Sequence, residues 1–248
     1  MSGHSKWSTI KRKKGALDAQ RGKVFTKIAR EIMVAAKEGG GDPSGNPRLR
    51  TALIAARSAN MPRENQERAI KKGTGDLAGV TFETLQYEGR GPAGSCFIVD
   101  ILTDNRNRTV AEIRMIFGKA GGEMVSSGAV SWMFIRRGIL EIPKAKISED
   151  ALMERALELG GEDVQDWDES WGVLCEPTSF NELLTGLADL DPVGEITYLP
   201  KPESELTLTD DAAVSVAKLW AKLDEHDDVQ KCYLNASLPD EVLEEYGP

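Results

Sequence analysis

The residues best able to do chemistry in this chain are the lysines and arginines near its N-terminus. They surround a single tryptophan, Trp7, in a segment with few apolar anchors, and comprise Lys6, Lys11, Arg12, Lys13 and Lys14. Such cations can neutralise phosphates while an indole stacks on a base. The same pattern is also typical of a solvated tail in which Trp7 is a hydrophobic anchor. We predict a basic arm that binds nucleic acid, with the solvated tail as the alternative.

A second group of cations lies on predicted helices. Residues 23–37 carry apolar side chains at helical spacing, and Lys23, Lys27 and Arg30 fall on another face. Glycines follow this helix, and Pro47 and Pro62 stand near the start of two more helices. This pattern predicts a basic helical module, and its further candidate phosphate contacts are Arg21, Arg48, Arg50, Lys71 and Lys72.

Two more arginines precede a predicted helix in the middle of the chain. Arg106 and Arg108 come just before Thr109 and Glu112, which have the spacing of a capping box. A helix N-terminus already favours an anion, so both arginines are candidate nucleic-acid contacts. The alternative is that they pair with neighbouring carboxylates around a turn.

Other chemistries have little support in the sequence. The two histidines, His4 and His226, have no partners at metal-ligand spacing, and neither a phosphate-binding GxxxxGK[ST] loop nor a GxSxG elbow occurs. The acidic run at residues 225–228 is typical of a solvated helix end rather than a ligand set. We therefore expect neither an enzyme nor a cofactor, metal or small-molecule substrate.

The charge is strongly polarised along the chain. The 248 residues carry a net charge of −9, but residues 1–75 carry +11 and residues 76–248 carry −20. Phosphate affinity depends on charge within a Debye length of about 8 Å, so the basic third can bind a polyanion. No apolar run approaches the roughly 18 residues of a membrane span, which predicts no membrane partner. An odd number of scattered cysteines favours a reducing compartment, the cytoplasm.

From residue 82 the pattern changes to mixed strands and helices. Residues 138–199 have the order βαββαβ, which is typical of a ferredoxin-like fold. A late helix and strand supply what residues 82–135 lack for a sheet of their own. We predict an α+β protein with a basic arm and helical domain (1–80), an α+β domain (81–136 plus 206–240) and an inserted ferredoxin-like domain (137–205). The GxGxxG at residues 89–94 leads into a β-rich segment, so it predicts a hairpin loop rather than a dinucleotide site.

Several long motifs occur in one order along the chain, and with them it resembles the YebC family, related to the mitochondrial translational activator of cytochrome c oxidase subunit I. The motifs are Gly3-His4-Ser5-Lys6-Trp7, Asp18-Ala19-Gln20-Arg21-Gly22-Lys23, Phe25-Thr26-Lys27, Gly39-Gly40-Gly41-Asp42-Pro43, Asn46-Pro47-Arg48-Leu49-Arg50, Asn60-Met61-Pro62, Tyr87-Glu88-Gly89 and Leu102-Thr103-Asp104-Asn105-Arg106-Asn107-Arg108-Thr109. Two positions depart from the family pattern. Arg90 stands where an aromatic residue is frequent, and Glu123-Met124-Val125 replaces Asn-Leu-Gly.

The resemblance implies a three-domain α+β protein that acts in gene expression. Members are usually classed as DNA-binding transcriptional regulators, whereas others act on the ribosome, where relief of stalling at proline-rich stretches is associated with part of the family. The resemblance thus leaves DNA and ribosomal RNA open as partners. The residues show no clear helix-turn-helix, and the basic arm and helix suit shaped RNA at least as well. A third hypothesis is a protein adaptor that uses the acidic domains.

Overall fold

The computed structural model describes residues 17–75 and 82–248, with only the backbone for residues 17–21. The N-terminal part forms three helices, α1 (Leu17–Gly39), α2 (Pro47–Ser58) and α3 (Arg63–Thr74). Each lies where apolar spacing and flanking proline or glycine predict it. The basic helical module expected from the sequence is therefore present in the described residues.

Two close contacts hold these helices together. The buried Asn46 side chain accepts a hydrogen bond from the Leu49 N–H at 3.0 Å and donates to the carbonyls of Ala35 and Gly40 at 2.7 and 2.8 Å. One asparagine thus caps the start of α2 and satisfies carbonyls near the end of α1. Gly73 in α3 lies against the Met33 carbonyl of α1, where a Cβ atom would have no room.

The remaining elements alternate between strands and helices. The helices are α4 (Arg106–Lys119), α5 (Glu149–Glu158), α6 (Phe180–Gly186), α7 (Asp210–Asp224) and α8 (Asp240–Tyr246). The strands are β1 (Glu83–Arg90), β2 (Cys96–Thr103), β3 (Glu123–Val125), β4 (Phe134–Pro143), β5 (Gly161–Trp167), β6 (Ser170–Cys175), β7 (Val193–Pro200), β8 (Leu206–Thr207), β9 (Val229–Leu234) and β10 (Ala236–Ser237).

The first sheet has the strand order β3-β1-β2-β9, with antiparallel pairing throughout. Its core includes Phe97 from β2, Phe117 from α4 and Val216 from α7, all fully buried. The two phenylalanine rings pack edge to face, with their centroids 5.9 Å apart. Because β9 pairs with β2, the late helix and strand complete a sheet that begins some 130 residues earlier. This is the arrangement expected from the incomplete pattern of residues 82–135.

The second sheet has the order β5-β6-β4-β7, and β6 pairs antiparallel with both β4 and β5. Together with α5 and α6 it gives the βαββαβ sequence of a ferredoxin-like unit. Leu140, Leu152 and Phe180 are fully buried in its core. The predicted fold class, α+β with a basic helical part and a ferredoxin-like unit inserted in another α+β unit, is confirmed.

The domain boundaries stay a prediction. By their contacts, the described residues form two compact units, one with residues 31–75 and 136–198 and the other with residues 17–30, 82–135 and 199–248. The three predicted domains, 1–80, 81–136 plus 206–240, and 137–205, divide the chain differently.

The glycine-rich segment at residues 89–94 closes the hairpin between β1 and β2. The Gly91 N–H donates to the Ser95 carbonyl at 2.8 Å, so the predicted hairpin loop is present and no helix follows it. Arg90 in this segment is the cross-strand partner of Glu123 in β3. The two departures from the family pattern therefore stand opposite each other, with opposite charge, which favours antiparallel pairing.

The sequence of residues 130–135 has a β-like pattern that predicts a strand, but β4 begins only at Phe134. Glu88, which is buried, accepts hydrogen bonds from the N–H groups of Gly128, Val130 and Ser131 at 2.7, 2.7 and 3.0 Å. Because these N–H groups donate to Glu88, they do not pair with a neighbouring strand, and residues 131–133 form a 3-10 turn instead. The β-like pattern there was wrong because a side chain replaces the strand partner.

Candidate nucleic-acid interface

The basic stripe of α1 lies beside the C-terminal end of α7. Lys27 donates from Nζ to the Asp224 carbonyl at 2.5 Å and to Asp224 Oδ1 at 3.3 Å. Arg30 donates from Nη1 to the Asp227 carbonyl at 2.7 Å. A helix C-terminus carries partial negative charge, which stabilises Lys27, whereas Arg30 contacts the turn that follows the helix. Lys23, one turn before Lys27, is exposed.

Arg106 and Arg108 lie at the start of α4 and both are exposed. The helix begins at Arg106, because Asn105 caps it by accepting a hydrogen bond from the Arg108 N–H at 3.1 Å. The capping box predicted from Thr109 and Glu112 is therefore wrong. The Arg108 Nη2 donates to Asp104 Oδ1 at 3.0 Å, so the alternative of pairing with a neighbouring carboxylate holds for this arginine.

Asp228 brings the arginines of the two helices together. Its side chain is 5% exposed, and its Oδ1 accepts from Arg30 Nη1 at 3.2 Å while its Oδ2 accepts from Arg108 Nη2 at 2.8 Å. The hydroxyls of Thr103 and Thr109 donate to the same Oδ2 at 3.1 and 2.7 Å. We call these five residues the Asp228 cluster. It joins α1, the end of β2, the start of α4 and the residue before β9 at one carboxylate.

The electrostatics of the cluster favour an ionised carboxylate. Burial raises the pKa of Asp228, but the hydrogen bonds from Arg108, Thr109 and Thr103 outweigh it, and the pKa lies below its ordinary value. The same carboxylate raises the pKa of Arg108. The cluster therefore holds one buried anion between two cations, with a net charge of +1.

The turn that carries Asp228 is itself fixed by a histidine. His226 Nδ1 accepts from the Asp228 N–H at 3.1 Å, and His226 Nε2 lies 2.9 Å from Glu112 Oε2. Since Nδ1 accepts, the Nε2 proton donates to Glu112. The expectation that residues 225–228 form a solvated helix end is correct for Glu225 and Asp227, which are exposed, and wrong for Asp228.

The other predicted contacts of the helical module have different environments. Arg48 donates to Glu31 at 2.7 and 3.1 Å and to Glu38 at 2.6 Å, which raises its pKa, first through the Glu31 hydrogen bond. Arg50 donates to the carbonyls of residues 43 and 44 at 3.2 and 2.9 Å. Lys71 and Lys72 are exposed in the last turn of α3.

The basic arm lies outside the described residues. This holds for Lys6, Trp7, Lys11, Arg12, Lys13 and Lys14, and the side chain of Arg21 is likewise outside them. As nucleic-acid contacts, all sixteen predicted residues remain predictions. Among the described ones, the structure brings Arg30 and Arg108 to one carboxylate.

Sequence reasoning did not find Asp228, Thr103 and Thr109 as a group. The only signal was an acidic residue directly before a strand and two threonines flanking the arginine motif, and no spacing rule connects residues more than 100 positions apart. The buried role of Glu88 was also not predicted, because a carboxylate in a strand is expected to face solvent.

Within residues 17–75 and 82–248, no group of three His, Cys, Asp or Glu residues could hold a metal ion. No helix in the same ranges combines the length and apolarity needed to cross a membrane.

Comparison with known proteins gives a consistent picture along almost the whole chain. Residues 5–76 match the family description "TACO1/YebC protein N-terminal domain", and residues 82–236 match "TACO1/YebC second and third domain". A protein of Desulfosudis oleivorans is 51% identical over 98% of this chain and 100% of its own length, and one of Citrifermentans bemidjiense is 50% identical over 98% and 99%. Both carry the name "Probable transcriptional regulatory protein".

A solved structure extends the comparison to three dimensions. The crystal structure of a conserved hypothetical protein from Aquifex aeolicus has a TM-score of 0.81 and 46% sequence identity, and the match covers 95% of this chain and 98% of that one. The same fold is therefore present in an experimentally determined relative.

Proposed function

Because the chain belongs to the TACO1/YebC family, we propose that it is a nucleic-acid-binding regulator of gene expression. Its basic helices bind the phosphate backbone. Transcription is the first hypothesis, because the relatives are named probable transcriptional regulatory proteins. The observation that carries the proposal is the Asp228 cluster, where arginines from two separate helices share one buried carboxylate.

The arginines of the cluster keep donors for a further anion. The Arg108 side chain is 44% exposed and donates to described residues through Nη2, and Arg30 donates to described residues through Nη1. No described residue accepts from the other guanidinium nitrogens of these two side chains. Guanidinium groups match phosphate oxygens with paired hydrogen bonds, so these donors suit a phosphate backbone.

Two neighbouring features add to the same surface. Arg106 is exposed in the first turn of α4, where the helix dipole favours an anion. Lys23 is exposed one turn before Lys27 on α1. Contacts of this kind position a protein on nucleic acid without reading its sequence.

The proposal assigns the basic arm the same task. Lys11, Arg12 and Lys13 add charge density at the N-terminus, and the acidic remainder of the chain faces away from the polyanion or towards a basic partner. An enzymatic role is not proposed, since the relatives are named as regulators. Binding to ribosomal RNA and an adaptor role stay predictions, and the experiment below separates them. Cytoplasmic location is likewise part of the proposal.

The test measures binding of the full chain to labelled duplex DNA and to a structured RNA of equal phosphate number, from about 50 to about 300 mM salt. If six phosphates are contacted, log Kobs on DNA should fall with log salt at a slope of about −5. Replacement of Lys11, Arg12 and Lys13 by glutamate should weaken binding to every sequence and flatten the slope.

The outcome assigns the partner. Stronger binding to one promoter fragment than to random DNA at physiological salt favours transcription. Preference for the RNA, with co-sedimentation of the protein with ribosomal particles that the arm variant loses, favours translation. Binding to neither, or a slope that the arm variant leaves unchanged, refutes the proposal and leaves the adaptor.

A further inference from the structure

We propose that Asp228 is a positioning residue for phosphate binding, which holds Arg30 and Arg108 side by side before the ligand arrives. The inference rests on the proposed function and goes beyond it, because it assigns a role in binding a polyanion to a negatively charged, buried side chain. Asp228 would not touch the phosphate itself.

The first step of the argument is the completeness of the carboxylate's hydrogen bonds. A buried carboxylate is costly unless its oxygens are satisfied. Asp228 accepts from two hydroxyls and two guanidinium groups, and it is 5% exposed. Its position is thus fixed from four directions, and it can in turn fix the groups that donate to it.

The second step concerns the two arginines. Guanidinium groups that approach the same carboxylate repel one another in the absence of an anion, and a long arginine side chain loses rotamer entropy when it is fixed. The carboxylate between them offsets the repulsion and orders both side chains in the free protein. Binding of a phosphate then costs less ordering, which is the general benefit of preorganisation.

The third step concerns the sign of the change in affinity when the negative charge of Asp228 is removed, because positioning and net charge predict opposite signs. If only net charge mattered, removing the negative charge of Asp228 would strengthen binding to a polyanion. If Asp228 positions the arginines, the same change should weaken it. Asp227, the adjacent residue, is exposed and contacts Arg30 through its backbone carbonyl, so it is a matched control.

The experiment compares Asp228→Asn with Asp227→Asn in the full chain, by titration of labelled duplex DNA and structured RNA across a salt series. We expect Asp228→Asn to weaken binding about twofold to tenfold, the equivalent of one hydrogen-bonded contact, and to reduce the salt slope by about 1. Asp227→Asn should leave affinity unchanged or raise it. The DNA and RNA arms show which polymer supplies the phosphate.

A double-mutant cycle excludes a purely structural effect. In the Arg30→Ala/Arg108→Ala background, Asp228→Asn should change affinity no further, since its action passes through those two side chains. An equal loss in both backgrounds, or an Asp228→Asn effect identical to that of Asp227→Asn, overturns the inference. Absence of salt-dependent binding in the unmodified protein refutes the proposed function instead.

A second variant covers the case in which Asp228→Asn does not fold. Arg108→Lys keeps the charge but cannot present a planar pair of donors while it contacts Asp228. Weaker binding by Arg108→Lys, with circular dichroism like that of the unmodified protein, supports positioned guanidinium groups. If Arg108→Lys leaves the affinity and the salt slope unchanged, the positioned guanidinium groups are refuted.

Discussion

Replacement of Glu88 by glutamine should destabilise the first sheet by more than any surface substitution. One carboxylate oxygen of Glu88 accepts from Gly128 N–H, and the other accepts from Val130 and Ser131. An amide has only one oxygen, so at least one backbone N–H must face an NH2 group. A lost hydrogen bond to a charged group costs about 1.5–3 kcal/mol, and the remaining bonds weaken, so we expect about 2–4 kcal/mol.

The pH dependence of this effect follows from the pKa of Glu88. Burial raises the pKa, but the backbone N–H donors outweigh it, so the folded value lies below the ordinary 4.5. A lowered folded pKa gives stability that is present above the unfolded pKa and is lost as the pH falls through the folded pKa. The difference between the parent protein and Glu88→Gln should therefore be full at neutral pH and shrink in acid.

The assay is urea unfolding followed by far-ultraviolet circular dichroism, in steps from about pH 7 to about pH 3. Glu83→Gln is the matched control, because Glu83 lies in the same strand and is exposed, and it should stay within about 0.5 kcal/mol of the parent. A loss below about 1 kcal/mol for Glu88→Gln at neutral pH, or a loss that does not change with pH, would refute the assigned role of the carboxylate.

Three further outcomes follow from the described residues. Gly73→Ala should destabilise by about 1–3 kcal/mol, because its Cβ would press on the Met33 carbonyl, and a thermal melt that is unchanged would contradict that packing. Gly118→Ala in α4 meets nothing within 4 Å and should be neutral or stabilise by up to about 1 kcal/mol in the same melt, so a clear destabilisation would count against the helix geometry. Burial raises the pKa of the Cys175 thiol to about 11 and that of Cys232 well above 9.0. Both should resist alkylation at about pH 8 until urea unfolds the chain, and rapid labelling of the native protein at either site, located by mass spectrometry, would oppose this.

Much of the fold follows from periodicity in the sequence. The helices α1, α2 and α3 lie where apolar spacing and flanking glycine or proline place them, and α7 and β9 are the late helix and strand that the sequence predicts. The order of strands and helices after residue 138 was enough to predict the ferredoxin-like unit. These features are local, so a single sequence carries them.

The errors occur where a side chain replaces a backbone partner. Asn105 starts α4 before the predicted capping box, and the Thr109 hydroxyl serves Asp228 instead. Glu88 accepts from the N–H groups of Val130 and Ser131, which a β-like pattern assigned to a strand, and also from that of Gly128. The cap of α4 is local, since Asn105 lies three residues before Arg108, whereas Glu88 and Asp228 are distant in sequence from the groups that they contact, and periodicity cannot register such partners.

The Asp228 cluster also shows why net charge is a weak guide to what this chain binds. Residues 76–248 carry a net charge of −20. They nevertheless include the Asp228 carboxylate, which aligns two arginines, and the C-terminal end of α7, whose Asp224 carbonyl accepts a hydrogen bond from Lys27. A phosphate that approaches Lys27 must compete with the Asp224 carbonyl at 2.5 Å, whereas one that approaches Arg108 meets guanidinium nitrogens, beside a fixed carboxylate, that donate to no described residue. Binding strength at this surface should therefore depend on which cations are already oriented outwards, and an arginine held by a buried acid can contribute more than an equally charged lysine whose Nζ is occupied.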